Sequence, residues 1–139
     1  ILIGDKMDNK IIKIYSDSGH AWARIDRIDL IHLNIIDKIS KYSYQKNGYV
    51  YLEEDSDLSH YVNALNERFK GININYDEIT STKSKIRSYQ YFKMNNEEIN
   101  DVILKQDISA IKRRLEENRT VNRSDYDLII FTLNQFLKG

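Results

Sequence analysis

The sequence has no cysteine, no proline and no long apolar run, and its charges cancel. Without cysteine there are no disulfides, thiolate metal sites or cysteine nucleophiles, which fits an expected cytoplasmic location. The lack of proline, beside abundant Ile, Lys and Asn, reads as the codon bias of an AT-rich genome. No stretch approaches the roughly 20 apolar residues that a membrane-spanning helix needs, and no signal-peptide pattern opens the sequence, so no membrane partner is expected. Lys+Arg and Asp+Glu both number 21, so the basic excess typical of nucleic-acid binders is missing, although a local basic patch remains open. Also missing are a glycine-rich phosphate loop, an H-E-x-x-H pair and a nucleophile elbow. No cofactor or metal is therefore expected.

What is present suits one compact domain with an appendage. Of the 139 residues, 41% are hydrophobic, enough for a real core. Met7 is read as the start, and Ile1 to Lys6 are given no role. The organising stretch is Ser40 to Asp57, SKYSYQKNGYVYLEEDSD. Asn47-Gly48 predicts a type I′ hairpin turn, because both residues tolerate positive φ. That turn would set Lys46 against Tyr49, Tyr44 against Tyr51, Tyr42 against Glu53 and Lys41 against Glu54. By strand alternation, Tyr42, Tyr44, Tyr49 and Tyr51 share one face, while Ser43, Val50 and Leu52 share the other.

Upstream, Lys10 to Ser16 predicts a strand and Asp17-Ser18-Gly19 a tight turn in which Gly19 takes positive φ. His20 to Ile25 predicts the antiparallel return. Asp26, with Asp29, suggests a capping box for a short helix burying Ile28, Ile31 and either Leu30 or Leu33, with Asn34 as its left-handed stop. Ile35, Ile36 and Ile39 lead into the hairpin. Beyond it, Ser56 or Asp57 caps a helix with the stripe Leu58, Tyr61, Val62, Leu65 and Phe69, ending at Gly71. Ile72 to Tyr76 predicts a short strand, Asp77 to Ser84 a surface loop, and Lys85 to Lys93 another strand by its alternation.

Composition changes at Met94-Asn95. From Asn95, which with Glu98 forms a capping-box start, the pattern is helical: Ile99, Val102 and Ile103, a restart at Asp107, a connector over Asn118 to Arg123, and a last helix from Ser124. The expected architecture is α+β. Over residues 7–94 a mixed, mainly antiparallel sheet carries two amphipathic helices, and residues 95–139 form a helical appendage. That appendage is expected to pack on the domain or to offer an oligomer surface, a homodimer in the simplest case.

The runs Ser16-Asp17-Ser18-Gly19-His20-Ala21-Trp22, Ile39 to Tyr44, Val50 to Asp55 and Ile86-Arg87-Ser88-Tyr89 occur together in that order. In this the first ~94 residues resemble small, uncharacterised accessory proteins encoded on phages, prophages and plasmids. The resemblance implies a protein of a mobile element that binds a host or phage protein, including those of host defence. It brings no active site with it.

Three groups of residues are candidates for function. Asp17, Ser18 and His20 set a carboxylate, a hydroxyl and an imidazole close together. A metal-assisted hydrolase or nuclease would use Asp17 and His20 with Glu53. The plainer reading has Asp17 and Ser18 bonding the turn backbone. Glu53, Glu54, Asp55 and Asp57 could hold a cation with help from His20 or His60, but acidic residues also suit a helix start. Strand alternation would put Glu53 and Glu54 on opposite faces. The third group is Tyr42, Tyr44, Tyr49, Tyr51, Arg87, Tyr89 and Tyr91. Tyr and Arg anchor protein interfaces and stack on unpaired bases, and they also simply pack. The leading expectation is non-enzymatic binding of a macromolecule through this group. A nucleic-acid module using Arg87, Tyr89, Tyr91 and the basic tail at Lys112-Arg113-Arg114 is the third alternative.

Overall fold

The computed structural model describes residues 7–102, with 104, 105, 108, 127 and 131. The restart at Asp107, the connector, the stripe of the last helix, the basic run at Lys112-Arg113-Arg114 and residues Ile1 to Lys6 lie outside them. The chain divides into two compact units between Met94 and Asn95. In the second, residues 96–102 are helical, and the Asn95 side chain accepts from the backbone N–H of Glu97 at 3.0 Å. Val102 is buried.

The first unit is α+β. Strand β1 (Asn9–Ser16) turns back into β2 (Ala21–Asp26), which runs directly into the short helix α1 (Arg27–His32). A 3₁₀ turn at Ile36–Lys38 leads to the hairpin of β3 (Tyr44–Lys46) and β4 (Tyr49–Glu53). Helix α2 (Asp57–Arg68), strand β5 (Asn73–Thr80), a second 3₁₀ turn (Lys85–Ser88) and the two-residue strand β6 (Gln90–Tyr91) follow. The six strands form one sheet in the order β5-β1-β2-β4-β3-β6, antiparallel throughout except for β1 beside β5. Among the described residues no helix is long and apolar enough to cross a membrane.

One sheet face is aliphatic. Ile12, Ala23, Ile25, Val50 and Leu52 point from it into a core that also holds Leu30 and Ile31 of α1, Tyr61 and Leu65 of α2, and Ile35, Ile36, Ile39, Phe69 and Ile72 from the connections. Asn34 stops α1 at φ 57°, as its sequence position suggests, and Gly71 follows α2 at φ 76°. Asp26 makes no side-chain capping bond, so the capping box does not form; Asp29 is buried with Lys10 Nζ 3.8 Å away. Ile28, expected inside, is 46% exposed, since a helix of under two turns buries only one narrow stripe.

The hairpin turn forms as expected. Asn47 and Gly48 take φ 53° and 81°, and Tyr44 pairs with Tyr51 and Lys46 with Tyr49. The expected pairs Tyr42–Glu53 and Lys41–Glu54 do not form. Ser43 N–H turns back to the Ser40 carbonyl at 3.3 Å, ending β3 at Tyr44, and Glu53 pairs with Trp22 of β2 instead. The cause is buried Asp57. One of its carboxylate oxygens accepts from the hydroxyls of Ser43 and Ser40 at 2.6 and 2.7 Å and from Ser40 N–H at 3.0 Å. Holding those three donors folds residues 40–43 over the start of α2.

Two further expectations fail for related reasons. Asp77 to Thr80, read as loop, continues β5 along β1 to the pair Ser16–Thr80. An edge strand exposed along almost its whole length needs no apolar alternation, so its pattern is silent. Conversely, Lys85 to Lys93 is not one strand. The Ser84 hydroxyl accepts from Ile86 N–H, and Tyr89 N–H donates to the Ile86 carbonyl at 3.0 Å, closing a 3₁₀ turn before β6.

Candidate functional site

The second sheet face is aromatic and polar. One row crosses it in register: Asp77, Lys13, Arg24, Tyr51, Tyr44 and Tyr91. Beside it stand Tyr15, Trp22 and Tyr49 from the neighbouring positions of β1, β2 and β4. The 3₁₀ turn lies over the middle of this face. Its Ile86 is buried with Trp22 and Tyr51, and Tyr15, Tyr44, Tyr49 and Tyr89 pack around them. Ring contacts continue the cluster: Tyr51 lies 5.1 Å from Tyr89 and 6.1 Å edge-on to Tyr15, and Tyr44 stacks on Tyr91 at 5.2 Å.

The candidate tyrosines therefore separate into three kinds. Tyr51 is core, at 9% exposure. Tyr44, Tyr49 and Tyr89 are half-buried flanks of the cluster. Tyr42 and Tyr91 stand 68% and 63% exposed. Tyr42 is not on the strand face where alternation put it, because β3 starts only at Tyr44. Burial raises the Tyr44 and Tyr51 phenols above their usual value, helped by neighbouring Tyr91 for the first and Tyr89 for the second.

Arg87 fastens the covering turn to the β1–β2 connection. Its Nε donates to Asp17 Oδ2 at 2.9 Å and its Nη2 to Oδ1 at 3.0 Å, while the guanidinium lies 5.2 Å from the Trp22 ring. Asp17 accepts further from the backbone N–H groups of Gly19, His20 and Ser84. The Arg87 fork, with those amides, holds the Asp17 carboxyl far below the usual range. Gly19 does not use positive φ, contrary to expectation. A Cβ there would meet Arg87 Nη2 at 2.9 Å, so a side chain at this position displaces the tip of the guanidinium.

Glu53 is engaged in a similar way. Its carboxylate accepts from the N–H groups of Asp55, Ser56 and Asp57 at 2.8, 2.7 and 2.6 Å, which makes it the real cap of α2. Ser56, in the capping position, makes no side-chain bond. Burial pushes the Glu53 carboxyl up, but the three amides and nearby His20 outweigh it and leave it below its ordinary value.

Two clefts flank the turn. The first, of about 530 Å³, lies between His20, Trp22, Tyr42, Tyr44, Arg87 and the acidic stretch Glu53, Glu54 and Asp55. Glu53 and Glu54 reach the same cleft because β4 ends at Glu53, and alternation ends with it. His60 is elsewhere, sharing a polar groove with His32. Among the described residues no three His, Asp or Glu side chains are placed to hold a metal ion. The second cleft, of about 400 Å³, includes Tyr15, Arg24, Tyr51, Lys83, Lys85 and Tyr89. The reading of the sequence missed Arg24, Lys83 and Lys85. The available signal was Trp22-x-Arg24, whose spacing puts both on one face of a strand.

Searches against family models, curated proteins and solved structures found no match to this chain.

Proposed function

We propose that this is a non-enzymatic binding protein that grips a partner protein at the cleft bounded by Trp22, Tyr42, Tyr44 and Arg87, with Tyr91 beside it. The observation that carries the reading is the pair of large exposed rings, Tyr42 and Tyr91, next to a concave, mostly preformed surface. Buried aromatic anchors and Arg dominate the energy of protein interfaces. Here Trp22, Tyr44 and Arg87 are already held in place by packing and by the Asp17 fork, so little ordering cost remains for binding. The resemblance of the first ~94 residues to accessory proteins of phages, prophages and plasmids favours a host or phage protein, a component of host defence among them, as the partner.

A hydrolase centred on Asp17, His20 and Glu53 has less support. His20 and Glu53 line one cleft, but each carboxylate is occupied by three or more donors that hold local structure. A base tied down by backbone amides and depressed in pKa is a poor proton acceptor near neutrality.

The test is recovery of a partner from the native host with wild-type protein and with the double variant Tyr42→Ala/Tyr91→Ala. Loss of the same captured protein, at an unchanged melting temperature, supports the reading; equal recovery overturns it. Divalent-metal-dependent hydrolysis that survives the double variant and disappears in His20→Ala establishes the enzyme instead.

A further inference from the structure

The two clefts on the aromatic face have opposite electrical character. The first has a run of three carboxylates, and its one arginine is already paired with Asp17. The second holds three cations, Arg24, Lys83 and Lys85, and no carboxylate. Among the described residues none of Arg24, Lys83 and Lys85 is paired with an acid. The nearest acid in the cross-sheet row is Asp77, which stands opposite Lys13 rather than Arg24. In a chain with 21 charges of each sign, three unpaired cations converging on one concavity are a local exception.

Arg24 is also held for use. Its guanidinium lies 4.7 Å from the Tyr49 ring and 5.9 Å from the Tyr15 ring, with Tyr51 on the adjacent strand. Stacking against rings fixes the plane of the fork while leaving its N–H groups to meet an anion, and a planar fork suits phosphate. A cleft of about 400 Å³ falls in the range of small-ligand sites, roughly 300–1,000 Å³, so it admits more than a lone anion. Besides Ser81 and Ser84, its remaining walls are flat or apolar, among them the Tyr15 and Tyr89 rings and the exposed Ile79. Rings of this kind stack on nucleobases.

We propose that this second cleft binds a nucleotide unit, with the phosphate on Arg24, Lys83 and Lys85 and the base against Tyr15 or Tyr89. The site is separate from the partner-binding cleft and does not depend on it.

Calorimetric titration of the full chain with inorganic phosphate, AMP and a single-stranded pentanucleotide at low salt tests the assignment. AMP is expected to bind at least tenfold more tightly than phosphate. The double variant Lys83→Gln/Lys85→Gln alters exposed side chains, so the fold should survive, and should bind AMP at least fivefold more weakly. Arg24→Gln should lose tenfold or more, and the lysine variant carries the test if Arg24→Gln fails to fold. Tighter binding of the pentanucleotide, with a salt slope that the lysine variant lowers by about one, assigns the phosphate to a strand. Equal or weaker binding assigns it to a free nucleotide; both outcomes uphold the site. No AMP binding, phosphate bound as tightly as AMP, or affinity indifferent to all these substitutions overturns it. So does tighter binding of a phosphoserine peptide than of AMP, which would make the cleft a phosphoprotein reader.

Discussion

Arg87 reaches 70 positions back along the chain to hold both carboxylate oxygens of Asp17, and its Nη2 comes within 2.9 Å of where a Cβ on Gly19 would lie. The pair pins the covering turn, and with it Ile86, onto Trp22 and Tyr51. Arg87→Lys keeps the charge but replaces a planar fork by a single ammonium. It should lower the melting temperature and alter the near-ultraviolet dichroism of Trp22, the only tryptophan. Gly19→Ala should do the same by pushing the guanidinium aside. Unchanged spectra in both variants would mean that the turn is held by Ile86 alone.

The same pair gives a pH dependence of known sign. The Asp17 carboxyl is depressed in the folded chain by Arg87 and by backbone N–H donors. The folded state therefore releases this proton more readily than the unfolded chain, whose Asp titrates near 4. The stabilisation is complete above that value and is lost as pH falls toward the lower folded value. Asp17→Asn should melt below wild type at pH 7 and approach it progressively under pH 4. Parallel melting curves from pH 7 to pH 2 would remove Asp17 from acid stability.

Asp57 organises the start of α2 from below the surface. Asp57→Ala would leave the Ser40 and Ser43 hydroxyls and the Ser40 amide without their acceptor. At about 1–3 kcal/mol for each buried donor left unsatisfied, partly relieved by relaxation, a loss of about 3–5 kcal/mol is expected in urea unfolding. A loss under 1 kcal/mol would mean that those donors find other partners.

The tyrosines should respond according to depth. Tyr51→Ala should cost about 3–5 kcal/mol through the cavity it leaves, whereas Tyr42→Ala should stay within about 0.5 kcal/mol of wild type. Equal effects would contradict the division into core and exposed rings.

Tyr61 makes the opposite case. Its ring is fully buried in the core, yet its hydroxyl has no hydrogen-bond partner among the described residues. Burial, with Asp29 and Asp26 nearby, raises its phenol well above the ordinary value. Tyr61→Phe removes a desolvated hydroxyl and keeps the ring. Stability should hold or rise by up to about 1 kcal/mol; a loss beyond that would reveal a bond to the hydroxyl.

What could be read in the sequence was what local chemistry decides. Asn47-Gly48, Asn34 and the stripe through Tyr61 and Leu65 each act within a few residues of themselves, and each appears where the pattern puts it. What escaped depends on partners distant in sequence. Glu53 looks like a free strand-end acid until α2 sets three amides against it. Asp57 looks like a helix cap until Ser40 and Ser43 arrive. The second half of β5, from Asp77, looks like loop because its order comes from hydrogen bonds to β1 rather than from side-chain burial. In the candidate site, strand alternation put Tyr44, Tyr49 and Tyr51 together correctly. It had no means of showing that Ile86 would cover Tyr51 and leave Tyr42 and Tyr91 outside.

The parallel placement of β5 also sets an order of assembly. The hairpins β1–β2 and β3–β4 close over short connections and can form early, whereas β5 is separated from β1 by the intervening hairpin and α2, so its pairing is expected to come later. Closing so long a loop comes before its hydrogen bonds can reward it, and β5 is an exposed edge strand, so this ladder is expected to open more readily than the middle of the sheet. Amide hydrogens of β5 should exchange through local opening, while those of β2 and β4, in the middle of the sheet, should wait for global unfolding. The sheet of the first unit would then have a firm centre and a β5 margin that loosens before it. That margin borders the Arg24 cleft through Ile79, so occupancy of the cleft should slow exchange along β5.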